Sequence, residues 1–193
     1  MTVALVEYEL VGSDGAALPA LDADYYYVAT AMTGGSDQDI TGSLAATQAT
    51  YGRSVTASLV DADASVTQLK VYLSGLDTFG RAITETLSFT GSPGTSTQES
   101  NYAFRELTSV IYHADGTVGG TDTLALGFKD KLGLPREITS VSDILKARVD
   151  STAYENPASG AGTFNATYGT WEPLGGVIPN ASRRYYIQVK ETI

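Results

Sequence analysis

The chain has 193 residues and a net charge of −10, with twelve Lys and Arg set against twenty-two Asp and Glu. That balance argues against a nucleic-acid partner, because phosphate binding depends on clustered cations that displace counterions. Cysteine is absent, which excludes disulfides, thiolate metal sites and a cysteine nucleophile and leaves core packing and strand pairing to hold the fold. A hydrophobic content of 42% is too high for wholesale disorder, while a charged fraction of 18% makes the surface polar but weakly ionic, as where protein meets protein and also in secreted β-proteins.

The first predicted strand covers residues 3–11 and ends at Gly12-Ser13-Asp14-Gly15. Glu7 and Glu9 interrupt its apolar run and no basic segment precedes it, so it does not read as a signal peptide. No stretch of the chain approaches the ~18 consecutive apolar residues of a membrane span. Residues 22–32 contain Tyr25-Tyr26-Tyr27-Val28, an aromatic and β-branched run that favours extended structure, and stop at the loop signal Gly34-Gly35-Ser36-Asp37. Residues 54–60 alternate through Val55, Ala57 and Leu59, and Asp61-Ala62-Asp63-Ala64 leads to the next strand. There Leu69, Val71 and Leu73 alternate with polar residues, as do Ile83, Leu87 and Phe89 further on. Between the two runs, Asp77 is suited to bonding the backbone two residues on and Gly80 to φ > 0, which predicts a β-hairpin.

Residues 90–100 are polar and rich in Gly and Pro, and read as a projecting loop. Strands are predicted at 104–112 and 123–128, separated by turns at Asp115-Gly116 and Gly119-Gly120. Residues 141–149 fit either a short helix entered at Ser142 or Asp143 or a strand, and their β neighbours favour the strand. Segments 164–168 and 184–190 complete the set. About ten short strands with little helix predict an all-β protein, an antiparallel β-sandwich or barrel-like fold with long loops and meander connections. One domain is expected across residues 1–193, with residues 90–100 as the place where it would subdivide.

Candidate chemistry is sparse. His113, the only histidine, lies within four residues of Ser109 and two of Asp115, but one strand and its turn do not place a nucleophile, base and orienting acid around each other. No catalytic residue is assigned. The pairs Asp22/Asp24, Asp37/Asp39 and Asp61/Asp63 have the alternate spacing with which loops present oxygens to a hard cation. Asp61-Ala62-Asp63 begins like a calcium loop, yet it lacks the central Gly and closing Glu of the EF-hand pattern. Solubilising turns are the simpler reading of all three, so no metal or cofactor is expected. Lys129, Lys131 and Arg136, interrupted by Asp130 and Glu137, and the pair Arg183-Arg184 read as solvated or ion-paired. Twelve Tyr and Trp171 offer interface anchors or faces that stack on sugars, or simply follow β-propensity, and in Tyr25-Tyr26-Tyr27 and Tyr185-Tyr186 strand alternation places tyrosine on both faces.

The run Gly75-Leu76-Asp77-Thr78-Phe79-Gly80, then Thr84-Glu85-Thr86, Ala103-Phe104-Arg105-Glu106-Leu107-Thr108-Ser109-Val110 and Lys131-Leu132-Gly133-Leu134-Pro135, resembles a pattern found in tailed-bacteriophage virion proteins. The likeness covers about the middle third of the chain. It extends more loosely through Asp143-Ile144-Leu145-Lys146-Ala147-Arg148-Val149-Asp150 and Gly169-Thr170-Trp171-Glu172-Pro173. These virion proteins are small and β-rich, and some act as capsid decoration, or cement, proteins. The resemblance implies a structural protein and not an enzyme, made in the bacterial host cytoplasm and bound to the outer surface of the shell of major capsid protein. A homo-oligomer, a trimer by analogy, is implied with it, without membrane or nucleic-acid contact. No interface residue is carried over. The alternative is a tail-associated or receptor- or glycan-binding module using the loops after Gly34, Gly91 and Gly160.

Overall fold

The computed structural model describes residues 3–11, 15, 17–48, 51–135, 137–138, 140–150, 162–173 and 179–192. The fold is all-β and antiparallel. In chain order the strands are β1 (Val3–Leu10), β2 (Asp22–Ala31), β3 (Gln38–Asp39), β4 (Arg53–Val60), β5 (Val66–Leu76), β6 (Ala82–Thr90) and β7 (Ser96–Phe104). There follow β8 (Glu106–Gly116), β9 (Thr123–Gly133), β10 (Ile144–Val149), β11 (Gly162–Asn165), β12 (Thr170–Pro173) and β13 (Tyr185–Thr192). Single 3-10 turns lie at Thr41–Ser43 and Val141–Asp143.

These strands form three sheets. The first has the order β1-β13-β10, the second β11-β12-β9-β4-β7 with β2 also on β9, and the third β3-β8-β5-β6. Apolar residues at alternate positions drive the pairing. In β5, Val66, Leu69, Val71 and Leu73 are buried, and in β8, Leu107, Val110, Tyr112 and Ala114 face the same way. They meet Val55, Ala57 and Leu59 of β4 and Leu124, Leu126 and Phe128 of β9 in one core between the second and third sheets. A second cluster joins Leu10, Leu132, Leu134, Ile144, Trp171, Tyr185, Ile187 and Val189 under the first sheet. Strand β9 runs through both clusters, contributing Phe128 to one and Leu132 to the other.

The connections are not those of a meander. Among the described strands, only β5–β6 and β11–β12 pair with their immediate sequence neighbours; β4 pairs with β7 and β9, β5 with β8, and β1 with β13. Sequence alternation specifies which face of a strand is buried but not its partner, so a sandwich whose chain crosses between sheets has the same local pattern as a meander. Strands on either side of residues 90–100 share sheets, since β4 pairs with β7 and β5 with β8.

The expected loop over 90–100 is confined to residues 91–95, because β7 begins at Ser96. Its polar side chains have partners that make a strand tolerable. Buried Ser100 accepts the Val55 N–H at 2.8 Å and donates to the Tyr102 carbonyl at 2.7 Å, while Glu99 is held by Ser54, Lys129 and Lys131. Residues 141–149 divide: Ser140 caps the 3-10 turn by accepting the Ser142 N–H, and the chain then extends as β10.

The tyrosine expectation also changes. Strand β2 uses five residue steps from Asp22 to Tyr27 where β9 uses two, and this irregularity buries the consecutive Tyr26 and Tyr27. Tyr25 packs edge-on to Tyr26 at 5.4 Å and against Phe128 at 4.8 Å. Tyr185 is wholly buried, and Tyr186 lies under the Arg148 guanidinium, 3.9 Å from its ring centre.

Candidate functional site

Three passages of the chain between the second and third sheets meet at one end of the sandwich: residues 61–65 from β4 to β5, 91–95 from β6 to β7, and 117–122 from β8 to β9. Hydrogen bonds tie them together. The Asp61 N–H donates to Thr95 Oγ1 at 3.3 Å, the Thr117 N–H to the Ser65 carbonyl at 3.2 Å, and the Ser92 N–H to the Thr67 carbonyl at 3.3 Å.

Three carboxylates gather at this junction. The β4–β9 ladder ends at the pair Val60 and Thr123, and Asp61 and Asp122 are the residues immediately beyond it. Both are buried, at 2% and 0% exposure, and with exposed Asp63 they hold carboxylate oxygens within 4.8 Å of one another. Asp61 accepts the Ser65 N–H at 3.0 Å through Oδ1 and the Val66 N–H at 3.3 Å through Oδ2. Asp63 also accepts the Ser65 N–H, at 3.1 Å, and hydrogen bonding to Ser65 holds its carboxyl below the usual range. Asp122 Oδ2 accepts the Gly119 N–H at 2.6 Å, whereas its buried Oδ1 has no hydrogen-bond partner. None of the ion pairs among the described residues involves these three aspartates. Asp61 and Asp63 were visible in sequence as a spaced pair. Asp122 was not, because only the β4–β9 register brings a residue 61 positions away close to Asp61.

The other carboxylate pairs serve turns. Asp22 Oδ1 accepts the Asp24 N–H at 3.2 Å, and the Asp24 carboxyl is raised by its hydrogen bond with Asp22. Asp39 accepts the Thr41 N–H at 2.9 Å, while Asp37 binds His113 Nδ1 at 2.7 Å. His113 Nε2 lies 3.1 Å from Asp115, so both ring nitrogens face carboxylates, and the imidazole pKa is raised by Asp37 first and Asp115 second. Ser109 is four residues away along β8, about 13 Å at strand rise. Its hydroxyl meets Thr41 instead, so the structure does not assemble Ser109, His113 and Asp115 into a triad. Lys129 and Lys131 are engaged by Glu99; Arg136 and the loop after Gly160 lie outside the described residues.

A cavity of about 290 Å³ opens beside the β5–β6 turn, lined by Phe79, Arg81, Tyr102, Glu137, Tyr168 and others. Asp77 builds one wall by accepting the Phe79 and Arg81 N–H groups at 2.8 and 2.9 Å and the Arg81 Nε–H at 2.7 Å. Tyr102 and Tyr168 meet edge to face at 5.0 Å. Among the described residues, no helix is long and apolar enough to cross a membrane. Comparison with known protein families, curated proteins and solved structures finds no match to this chain.

Proposed function

We propose that the chain is a structural protein of a tailed-phage virion, a decoration protein that binds the outer surface of the major capsid protein shell and stabilises the head as a homotrimer. The sequence resemblance supports this reading. The observation that carries it in the fold is the outer edge of β1, eight residues long at the end of its sheet, with Leu5 59% exposed. A sheet edge unpaired among the described residues, with an apolar side chain exposed on its strand, is a template for strand addition by another chain. Many modest contacts of that kind, repeated over a shell, hold by avidity. The test is to mix the purified protein with expanded, undecorated tailed-phage capsids, sediment them and count bound copies, with light scattering on the free protein. Saturable binding at hundreds of copies per shell is expected, weakened by Leu5→Lys. Absence of binding would overturn the reading.

A second reading, a tail-associated receptor- or glycan-binding module, is favoured by the cavity at Phe79, Tyr102 and Tyr168, whose aromatic faces and polar rim suit a sugar ring. Its discriminating result is glycan binding that Tyr168→Ala abolishes, with a few copies at a tail in place of hundreds on a head.

A further inference from the structure

We infer that Asp61, Asp63 and Asp122 form a calcium site that ties the β4–β5 crossover to the β8–β9 crossover at one end of the sandwich. Asp61 and Asp122 lie just beyond the last pair of an antiparallel ladder, both buried and with carboxylate oxygens within 4.8 Å of one another, where like charges repel. The cost of such a pair is removed by a cation, and among the described residues no basic side chain supplies the charge. A buried carboxylate oxygen, Asp122 Oδ1, has no donor at all, although buried polar atoms are nearly always satisfied.

The donor set selects the metal. All three side chains offer hard oxygens, and no histidine or thiol is among them. Oxygens within 4.8 Å of one another fit around one ion at calcium–oxygen distances of about 2.3–2.6 Å. Calcium also accepts irregular geometry from loops, whereas magnesium demands a tight octahedron and keeps its waters. The ligands come from both sides of the junction, Asp61 and Asp63 from the β4–β5 crossover and Asp122 from the β8–β9 crossover. Thr95, from the third crossover, holds the backbone of Asp61. One ion thus joins two crossovers in a chain that has no disulfide to do so. The inference does not depend on the virion reading.

The experiment uses the full chain stripped with EGTA and titrated with calcium chloride, read by calorimetry and thermal unfolding. One calcium per chain is expected, with Tm rising by about 5–10 °C at a hundredfold excess over Kd. Asp63 is exposed, so Asp63→Asn keeps the fold and should weaken calcium binding at least about tenfold. Asp122→Asn keeps an acceptor for Gly119 and removes one of the two opposed charges. It should therefore be at least as stable as the parent in EGTA, yet show no Tm response to calcium. The site is overturned if millimolar calcium produces neither binding heat nor a Tm shift, or if Asp122→Asn responds as the parent does. An equal shift with magnesium would overturn the assignment to calcium.

Discussion

His113 joins β8 to the segment before β3 through Asp37 and to its own strand through Asp115. Both contacts favour the imidazolium, so the folded-state pKa lies above the ordinary value near 6.5. The stability it contributes is complete below about pH 6.5 and is lost as pH rises through the folded pKa. An NMR titration of the ring protons should give a pKa above that of a free histidine, and His113→Gln should flatten the decline in stability over the same window. Arg53 is a different case, fully buried with its guanidinium donating to the carbonyls of Lys129 and Pro19 and lying 4.7 Å from the Phe128 ring centre. Burial pushes its pKa down to about 10, outweighing the opposing pull of Tyr26, Tyr185, Asp130 and Glu99. Arg53→Ala removes the unfavourable buried charge but strands two carbonyls and opens a large void. The second effect is larger, and a loss of about 3 kcal/mol in urea unfolding is expected.

At the scale of elements, close approach decides what the sequence pattern leaves open. A Cβ at Gly127 in β9 would lie 1.9 Å from the Asp22 carbonyl oxygen, because the start of β2 crosses β9 at that point. Gly127→Ala must therefore move backbone, and should cost about 1–3 kcal/mol by equilibrium denaturation, with the β2 amides losing hydrogen-exchange protection first. The β5–β6 hairpin was legible because its information is local: Asp77 accepts the Phe79 N–H and Gly80 takes a φ of +79°, both within the turn. Strand β7 was not legible. Glu99 and Ser100 read as loop residues until β4 and β9 bring Ser54, the Val55 N–H, Lys129 and Lys131 to them. For the same reason the candidate site was only partly legible, with Asp61 and Asp63 two residues apart in sequence and Asp122 supplied by register alone.

For the molecule as a whole, the chain ends share a sheet, β1 pairing with β13 from Val3↔Thr192 to Leu10↔Tyr185. Such separation requires a long loop to close before the pair forms, so folding on the millisecond-to-second scale of non-local β-proteins is expected in stopped-flow experiments. Trp171, the single tryptophan, is fully buried in the cluster under that sheet, stacked on Phe164 at 5.3 Å and edge-on to Tyr185 at 5.8 Å. Its fluorescence therefore reports the second cluster alone, whereas far-UV circular dichroism reports all strands. Because β9 threads both clusters, the two signals should change at one urea midpoint; separate midpoints would show that the clusters unfold independently. Trp171→Ala should cost about 3–5 kcal/mol and shift both signals together.

Local chemistry in the sequence determined the all-β class, the position of most strands, the hairpin at Asp77 and Gly80, and the absence of any cysteine-based link. Each depends on neighbours a few residues apart, through side-chain alternation or a turn residue's own backbone. Strand partners, the burial of adjacent Tyr26 and Tyr27, the occupation of His113 by two carboxylates and the meeting of Asp122 with Asp61 were decided only by the tertiary structure. Register between distant strands sets which side chains face each other, and no local periodicity encodes it.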